Sequence, residues 1–501
     1  MRFASVSTLW ITLIVGCCCF SSFGKTFPNY IGVIDAGSTG SRFYLFHLER
    51  DNNGEITKMR EVNSNECQPG IKSFFWSFLI NSSYVHNLDG VWKPLYTMIR
   101  ASERLLHSSD RYNWFMCLTG SVPLYIFATA GMRVLSANDQ KSIYDAIYRG
   151  YRKSNLRFYL SRDNLRTIDG EMEAIYGWLT VNVLKSRITP SLHYTETATI
   201  SSLDLGGEST QVAYQYRKHP AGDLVDIKND LFAKSFLSFG AKEAQFRFEN
   251  YLLSNREAFR DATDHRSNRL HVPNPCNNVG YIGNSPVYEG LFHEGTGNLD
   301  QCESLLSMLI RGDSPCKDTA YSKCSIWSMQ IPSMDGEFVG MSLYFFVIDF
   351  LKTIYQMDDA HPTIDDIKTF GRSFCAMNWT ETLEHFSGKH RYTNDVVLGQ
   401  RCFQIAYIVS LLEHGFRFAD ISLGATSSLD PAYTIMYLRH INGESVDWTY
   451  GAALYEGRKP VPKQVNRILL WSVVLFMLIF VILLVISNRN VAIRYTKLPI
   501  I

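Results

Sequence analysis

An apolar strand that ends on an aspartate and turns through glycines occurs twice in this chain. The first copy runs Ile31-Gly-Val-Ile-Asp35-Ala-Gly37-Ser38-Thr39-Gly40-Ser41-Arg42, and the second runs Ile200-Ser-Ser-Leu-Asp204-Leu-Gly206-Gly207-Glu208-Ser209-Thr210-Gln211. Each copy continues into residues that read as a second strand, 43–48 and 212–216. A strand-glycine-strand hairpin exposes backbone N–H groups, and glycine lets the chain approach an anion closely. Hydroxyls add donors, and an aspartate at the strand end can hold a cation or its water shell beside a phosphate. One such loop is an ordinary turn. Two of them, about 170 residues apart, constrain the chain to two related lobes that clamp a phosphate between them.

The pattern around the loops repeats as well. After the first, Asp51–Gly54 is a hairpin turn and 55–63 reads as a third strand, followed by a helix at 92–106, a buried strand at 122–128 and a helix at 138–151. The second half opens with a helix at 171–183, restarts strand-loop-strand at Thr199, and continues with a strand at 232–239 and a helix at 242–253. The expected fold is therefore α/β with an internal duplication: lobe I over 28–170, completed by 436–465, and lobe II over 171–435. The stretch 254–337, rich in glycine and with four cysteines, reads as a stapled, loop-rich insertion in lobe II. Helices are expected at 338–353, 363–374 and 401–414.

With 501 residues the chain is too long for a single core. A net charge of +1 gives no support to nucleic-acid binding. Residues 1–24 read as a signal peptide or signal anchor. Residues 468–487 carry no charge and are long enough for a transmembrane helix, which leaves 488–501 as a cytosolic tail. This membrane-integral layout leaves room for a homo-oligomer. Eight of the eleven cysteines lie outside the N-terminal apolar segment, and an even number behind a secretory start points to disulfides. The pairs expected are Cys67–Cys117, Cys276–Cys302, Cys316–Cys324 and Cys375–Cys402. Sequons at Asn81 and Asn378 agree with a glycosylated body outside the cytosol.

Three further stretches carry chemistry: Phe127–Arg133, where Thr129 ends a strand; Gly170–Trp178, which opens a helix with Glu171 and Glu173; and Asp447–Leu454. Two helical residues two apart point roughly 200° apart, so only one of the two glutamates can face a cleft. Such an acid either complements the helix N-terminus or serves as a general base.

The five stretches Asp35–Arg42, Ala128–Arg133, Gly170–Trp178, Leu203–Gln211 and Asp447–Leu454 resemble, in order and spacing, the conserved regions of the apyrase (nucleoside triphosphate diphosphohydrolase) family. The family includes ecto-apyrases and Golgi nucleoside diphosphatases. The resemblance implies the duplicated actin-like, ribonuclease-H-like fold. It implies that Asp35 and Asp204 hold Ca²⁺ or Mg²⁺ through water, and that Ser38, Thr39, Gly40, Thr129, Gly206 and Gly207 contact phosphate. Glu173 matches the base, Ser209 and Gln211 position the attacking water, Trp448 stands near the metal, and Arg133 matches a structural arginine. Gly40-Ser41-Arg42 resembles the Golgi-type members, whereas cell-surface members tend to carry histidine at the position of Gly40. Ala174 and Glu208 depart from the pattern, and Glu208 sets an extra negative charge beside a phosphate loop unless its side chain turns away. The nucleobase is expected on lobe II, with Tyr344, Phe345 and Phe346 as stacking candidates and Arg401 as a weaker one.

The function expected is hydrolysis of nucleoside di- and triphosphates to the monophosphate and phosphate by in-line water attack, on UDP and GDP in the Golgi lumen. The alternatives are a cell-surface apyrase that clears extracellular ATP and ADP, and a membrane-tethered nucleotide-binding module without turnover.

Overall fold

The computed structural model describes residues 25–37, 40–62, 75–76, 90–109, 122–255, 270–285, 288–312, 322–332, 334–357, 360–418 and 433–462, with short helical pieces at 475, 478–479 and 481–483. Ser38, Thr39, Cys67, Asn81, Cys117 and Cys316 lie outside the described residues, as do 1–24 and 488–501.

The first sheet is built from β1 (Tyr30–Gly37), β2 (Gly40–Arg50), β3 (Ile56–Glu61), and, after helix α1 (Trp92–Ser109), β4 (Val122–Ala128). Its order is β3-β2-β1-β4 with Phe158–Tyr159 beyond β4; Phe75–Trp76 joins β2 and Leu165–Thr167 joins β4. β1 and β2 are antiparallel with Asp35 opposite Arg42, while β1 and β4 run parallel with Asp35 level with Phe127. The short helix α2 (Ala130–Arg133) follows β4 directly, and α3 (Ala137–Lys153) comes next, capped by the Ser136 hydroxyl, which accepts from the Asp139 N–H. One sheet face packs on α1 and α3 through residues such as Ile34, Leu45, Ile99 and Ile147.

Helix α4 (Gly170–Leu184) leads into the second sheet, formed by β5 (Ser201–Leu205), β6 (Ser209–Gln215) and β7 (Leu231–Leu237). After α5 (Ala241–Ser254) come β8 (Gly336–Ser342), α6 (Leu343–Tyr355), α7 (Arg401–Ser410) and β9 (Tyr433–Tyr437). The sheet order is β7-β6-β5-β8-β9, and β8 is parallel to both of its neighbours. This corrects the helix expected from 338: Phe338 to Ser342 is strand. An apolar run buried on both sides of a parallel sheet has no period that separates it from buried helix.

The span 254–337 also holds more order than expected. It contains a three-stranded sheet (270–274, 291–295 and 282–284) and a helix over Leu299–Arg311. Cys276–Cys302 and Cys375–Cys402 are bonded; Cys324 is also disulfide-bonded. Asn378 is exposed. The helix expected at 401–414 is α-helical only to Ser410 and widens into a π-turn over Leu411–Gly415.

The last helix, α8 (Trp448–Gly457), crosses α4 between the two sheets. Gly451 makes this crossing: a Cβ there would sit 2.0 Å from the Tyr176 carbonyl oxygen, and its N–H donates to the Thr180 hydroxyl at 2.9 Å. Lys25–Thr26 and Val461–Pro462 pair as a two-stranded ribbon, which joins the two ends of the body. Among the described residues no helix is long and apolar enough to cross a membrane; the expected span 468–487 lies largely outside them.

In a helix interior, alanine is favoured over glycine by about 1 kcal/mol. At Gly451 the clash with backbone outweighs that preference. Gly451→Ala is expected to destabilise the protein by about 2 kcal/mol or more, read as a lower thermal midpoint.

Candidate active site

Four acids reach one cleft from four ends of regular structure. Asp35 stands near the end of β1 and Asp204 near the end of β5; Glu173 lies in the first turn of α4 and Asp447 is the N-cap of α8. Asp35, Asp204 and Glu173 are buried. Burial holds the Asp35 carboxyl well above the usual carboxylate range, and the charges of Asp447, Glu173 and Asp204 add to it while Arg42 opposes. Burial likewise pushes Asp204 up to about 7, opposed by a hydrogen bond from Ser342 and reinforced by Glu173 and Asp447. The duplicated aspartates therefore lie near enough for each to feel the other's charge.

Glu173 forms a close ion pair with Arg133 Nη2, and Arg133 Nε donates to the Ile168 carbonyl at 3.0 Å. Burial raises the Glu173 pKa and Arg133 pulls it back, so the arginine holds this buried carboxyl toward its charged form. Glu171 points the other way, exposed, 2.9 Å from Lys234, which decides between the two glutamates. Arg42 lies 3.5 Å from Asp35 Oδ2, and Tyr44 donates to Asp447 Oδ2 at 3.3 Å.

The second hairpin supplies polar groups on the face that carries Asp204. Gln211 lies opposite Asp204 in register, and its Nε2 donates to Ser209 Oγ at 2.7 Å and to Ser235 Oγ at 3.1 Å. The carbonyls of Gly206 and Gly207 accept from the first N–H groups of α5 at 2.9 Å. Among the described residues the N–H groups of Gly207 and Glu208 donate to no protein acceptor, so they remain available to an anion. Glu208 is turned onto α5, 3.3 Å from Lys242 and beside Glu243, so its charge is directed at that helix rather than set loose beside the loop. Thr129 is buried where β4 meets α2, and its N–H lies 3.4 Å from the Ala36 carbonyl. Trp448 is buried against the Tyr176 ring. Gly40 opens β2, opposite Gly37.

A cation site is consistent with these donors. Asp35 Oδ1 and Asp204 Oδ1 are buried without a hydrogen-bond partner. Formally, the four acids face two arginines, a deficit of two positive charges. Hard carboxylate oxygens with that deficit suit a divalent cation of the Ca²⁺ or Mg²⁺ kind.

The stacking candidates separate. Tyr344 is fully buried in the core of the second sheet, which removes it as a platform. Phe346 lies on another face of α6, one turn beyond Ser342, and is half-buried 5.2 Å from the Tyr392 ring. Phe345 flanks both. Arg401 is buried; its Nη2 donates to Thr393 Oγ1 at 2.7 Å and Nη1 to Gln404 Oε1 at 2.7 Å, so it supports the wall from behind.

Asp447, Arg42, Ser342 and Tyr392 were not singled out from the sequence. Asp447 reads as a helix cap, which it also is, accepting from the Thr449 N–H at 2.9 Å. Arg42 was visible only as part of the first loop. Ser342 and Tyr392 carry no local signal.

The GDA1/CD39 (nucleoside phosphatase) family matches residues 25–465. The chain is 25% identical to the Golgi apyrase of Saccharomyces cerevisiae, over 84% of this chain and 69% of the relative. It is 25% identical to ectonucleoside triphosphate diphosphohydrolase 1 of Mus musculus, over 84% of this chain and 79% of the relative. A crystal structure of nucleoside triphosphate hydrolases from Neospora caninum shares the fold, with a TM-score of 0.59 at 15% identity over 91% of this chain and 98% of that one.

An acid whose pKa is higher in the folded than in the unfolded state takes up protons on folding, so its contribution to stability falls as pH rises between the two values. For Asp204 that window runs from its ordinary value to about 7. In EDTA, the contribution of Asp35 and Asp204 is expected to make the thermal midpoint higher at about pH 5 than at about pH 8. Added Ca²⁺ or Mg²⁺ should raise the midpoint more at the higher pH, where no proton has to be displaced. Scanning fluorimetry across that range reads both effects.

Proposed function

Because the chain belongs to the GDA1/CD39 (nucleoside phosphatase) family and is a nucleoside phosphatase, we propose that it hydrolyses nucleoside di- and triphosphates to the monophosphate and phosphate with a divalent cation, acting on UDP and GDP in the Golgi lumen. The observation that carries this reading is the convergence of Glu173, Asp35 and Asp204 on one cleft between duplicated hairpins.

Polyphosphate lies between the two loops. The N–H groups of Gly207 and Glu208 would meet it from one hairpin, and Gly37, Gly40 and Thr129 would flank it from the other. Asp35 and Asp204 would hold the cation, which supplies neutralisation of the charge on the bridging oxygens. Ser209 and Gln211 orient the attacking water, and Glu173 accepts its proton. Water oxygen bonds to the terminal phosphorus opposite the leaving oxygen, the phosphoanhydride bond breaks, and the nucleotide departs with the electron pair. A loose phosphoryl transition state asks little of its base, so positioning and charge neutralisation dominate the rate. A glutamate ion-paired with an arginine suits this role, because the arginine opposes the rise that burial gives its pKa.

The Golgi assignment is supported by the Gly40-Ser41-Arg42 ending, by the secretory cysteines and by similarity to Golgi apyrases. The cell-surface reading is supported by a comparable similarity to ectonucleoside triphosphate diphosphohydrolase 1. Surface biotinylation of intact cells separates the two: strong labelling of the mature protein favours the surface.

Glu173→Gln is expected to reduce phosphate release by at least about a hundredfold while nucleotide still binds. Near-normal turnover would remove Glu173 as the base. Arg133→Met leaves Glu173 buried without its cation, so the acid limb of the pH–rate profile is expected to move to higher pH. A phosphate-release panel over UDP, GDP, ADP and ATP should show activity with Ca²⁺ or Mg²⁺ and none in EDTA; metal-independent release would overturn the cation assignment.

A further inference from the structure

We propose that Arg439 reads the edge of the nucleobase, favouring bases that present carbonyl oxygens, guanine first and uracil next, over adenine. The inference rests on the nucleotide-hydrolase reading above and adds to it a residue that selects among substrates.

The placement of Arg439 follows from topology. β5, β8 and β9 are parallel neighbours, so their carboxyl ends lie along one edge of the sheet. Asp204 stands near that end of β5, Ser342 ends β8, and Arg439 comes two residues after β9 ends. Ligands of open α/β sheets bind beyond the carboxyl ends of the strands. From Ser342, which hydrogen-bonds Asp204, one turn of α6 leads to Phe346. The aromatic corner therefore begins about one helical turn, roughly 5 Å, from the residue that touches the cation carboxylate, which leaves room for a sugar between phosphate and base.

In that corner the Arg439 guanidinium lies 4.6 Å from the Tyr392 ring centroid and 5.6 Å from that of Phe346. Its Nη1 is buried without a hydrogen-bond partner. A guanidinium offers only donors. A buried donor left unmatched is costly, and a flat ligand with acceptor atoms on its rim would satisfy it edge-on to the guanidinium, which itself lies over the Tyr392 and Phe346 rings. Guanine presents O6 and N7 side by side, the pair that arginine engages with two parallel hydrogen bonds. Uracil presents single carbonyls. Adenine sets an amino donor beside N7, where it opposes the guanidinium.

The corner is held from behind by a polar chain. His390 Nε2 lies 3.0 Å from Asp349 Oδ2, His390 Nδ1 lies 2.7 Å from Thr393 Oγ1, and the buried Arg401 donates to the same hydroxyl. This fixes the segment that carries Tyr392 before any ligand arrives, so little ordering cost falls on binding.

The test compares kcat/KM for GDP, UDP and ADP in the full-length protein, together with calorimetric binding of GDP and ADP. Arg439→Met is expected to lower the GDP-to-ADP ratio about tenfold, in turnover and in binding, and Arg439→Lys, which keeps the charge but loses the fork, to lower it by less. A purely structural arginine would reduce all three nucleotides together, and an unmoved ratio overturns the proposal. If Arg439→Met yields no folded protein, Arg439→Lys and Arg439→Gln are judged on the same ratio. If the wild type turns over no nucleotide, the hydrolase reading falls and the binding ratio alone decides the role of Arg439.

Discussion

Repulsion among buried carboxylates is the constraint on which this architecture depends. Asp35, Asp204 and Glu173 are buried, Asp447 is half-buried beside them, and the four feel one another's charge. Such a set is tolerated because each member has local compensation. Glu173 and Asp447 stand at helix starts, where unpaired N–H groups favour negative charge. Arg133 and Arg42 supply full charges. What remains is a deficit of two positive charges, which one divalent cation would supply in the proposed reading, next to a hairpin whose Gly207 and Glu208 N–H groups have no protein acceptor among the described residues.

Mechanical support comes from the crossing of α4 and α8. Each helix delivers one acid at its N-terminal end, Glu173 in the first turn of α4 and Asp447 as the N-cap of α8, so the angle and spacing of the crossing set where the two stand. Gly451 permits backbone-to-backbone approach there, and the hydrogen bond from its N–H to Thr180 ties the two helices together. A similar economy appears at the second hairpin, where Gly240 lets the start of α5 abut Gly207 and Glu208. Carbonyls of the loop then turn toward α5, and the opposite side of the same peptides is left to the cleft.

Recognition and chemistry are separated along one helix. α6 begins at Ser342 beside Asp204 and reaches the aromatic corner one turn later. The end proposed to hold phosphate is built of short, charged groups, most of them buried. The end proposed to hold the base is built of half-buried rings and a guanidinium. A substrate held at both ends is aligned for attack at its terminal phosphorus, which is where positioning contributes to phosphoryl transfer.

Much of this was legible in the chain itself. The repeated hairpins and the strand-helix order around them follow from local patterns, because glycine turns and two-residue alternation are local physics. Pairings across the fold were not. Nothing near Phe338 distinguishes a strand buried on both faces from a helix, and nothing near Tyr344 says that it faces the core while Phe346 faces the rim. Asp447 announces itself only as a cap, and Arg439 only as a charge after an apolar strand. The residues in order were enough to establish that two aspartate hairpins exist. Folding in three dimensions had to decide that they share a cleft, which of Glu171 and Glu173 enters it, and which aromatic and cationic groups close its far end, since those depend on distances between residues hundreds of positions apart.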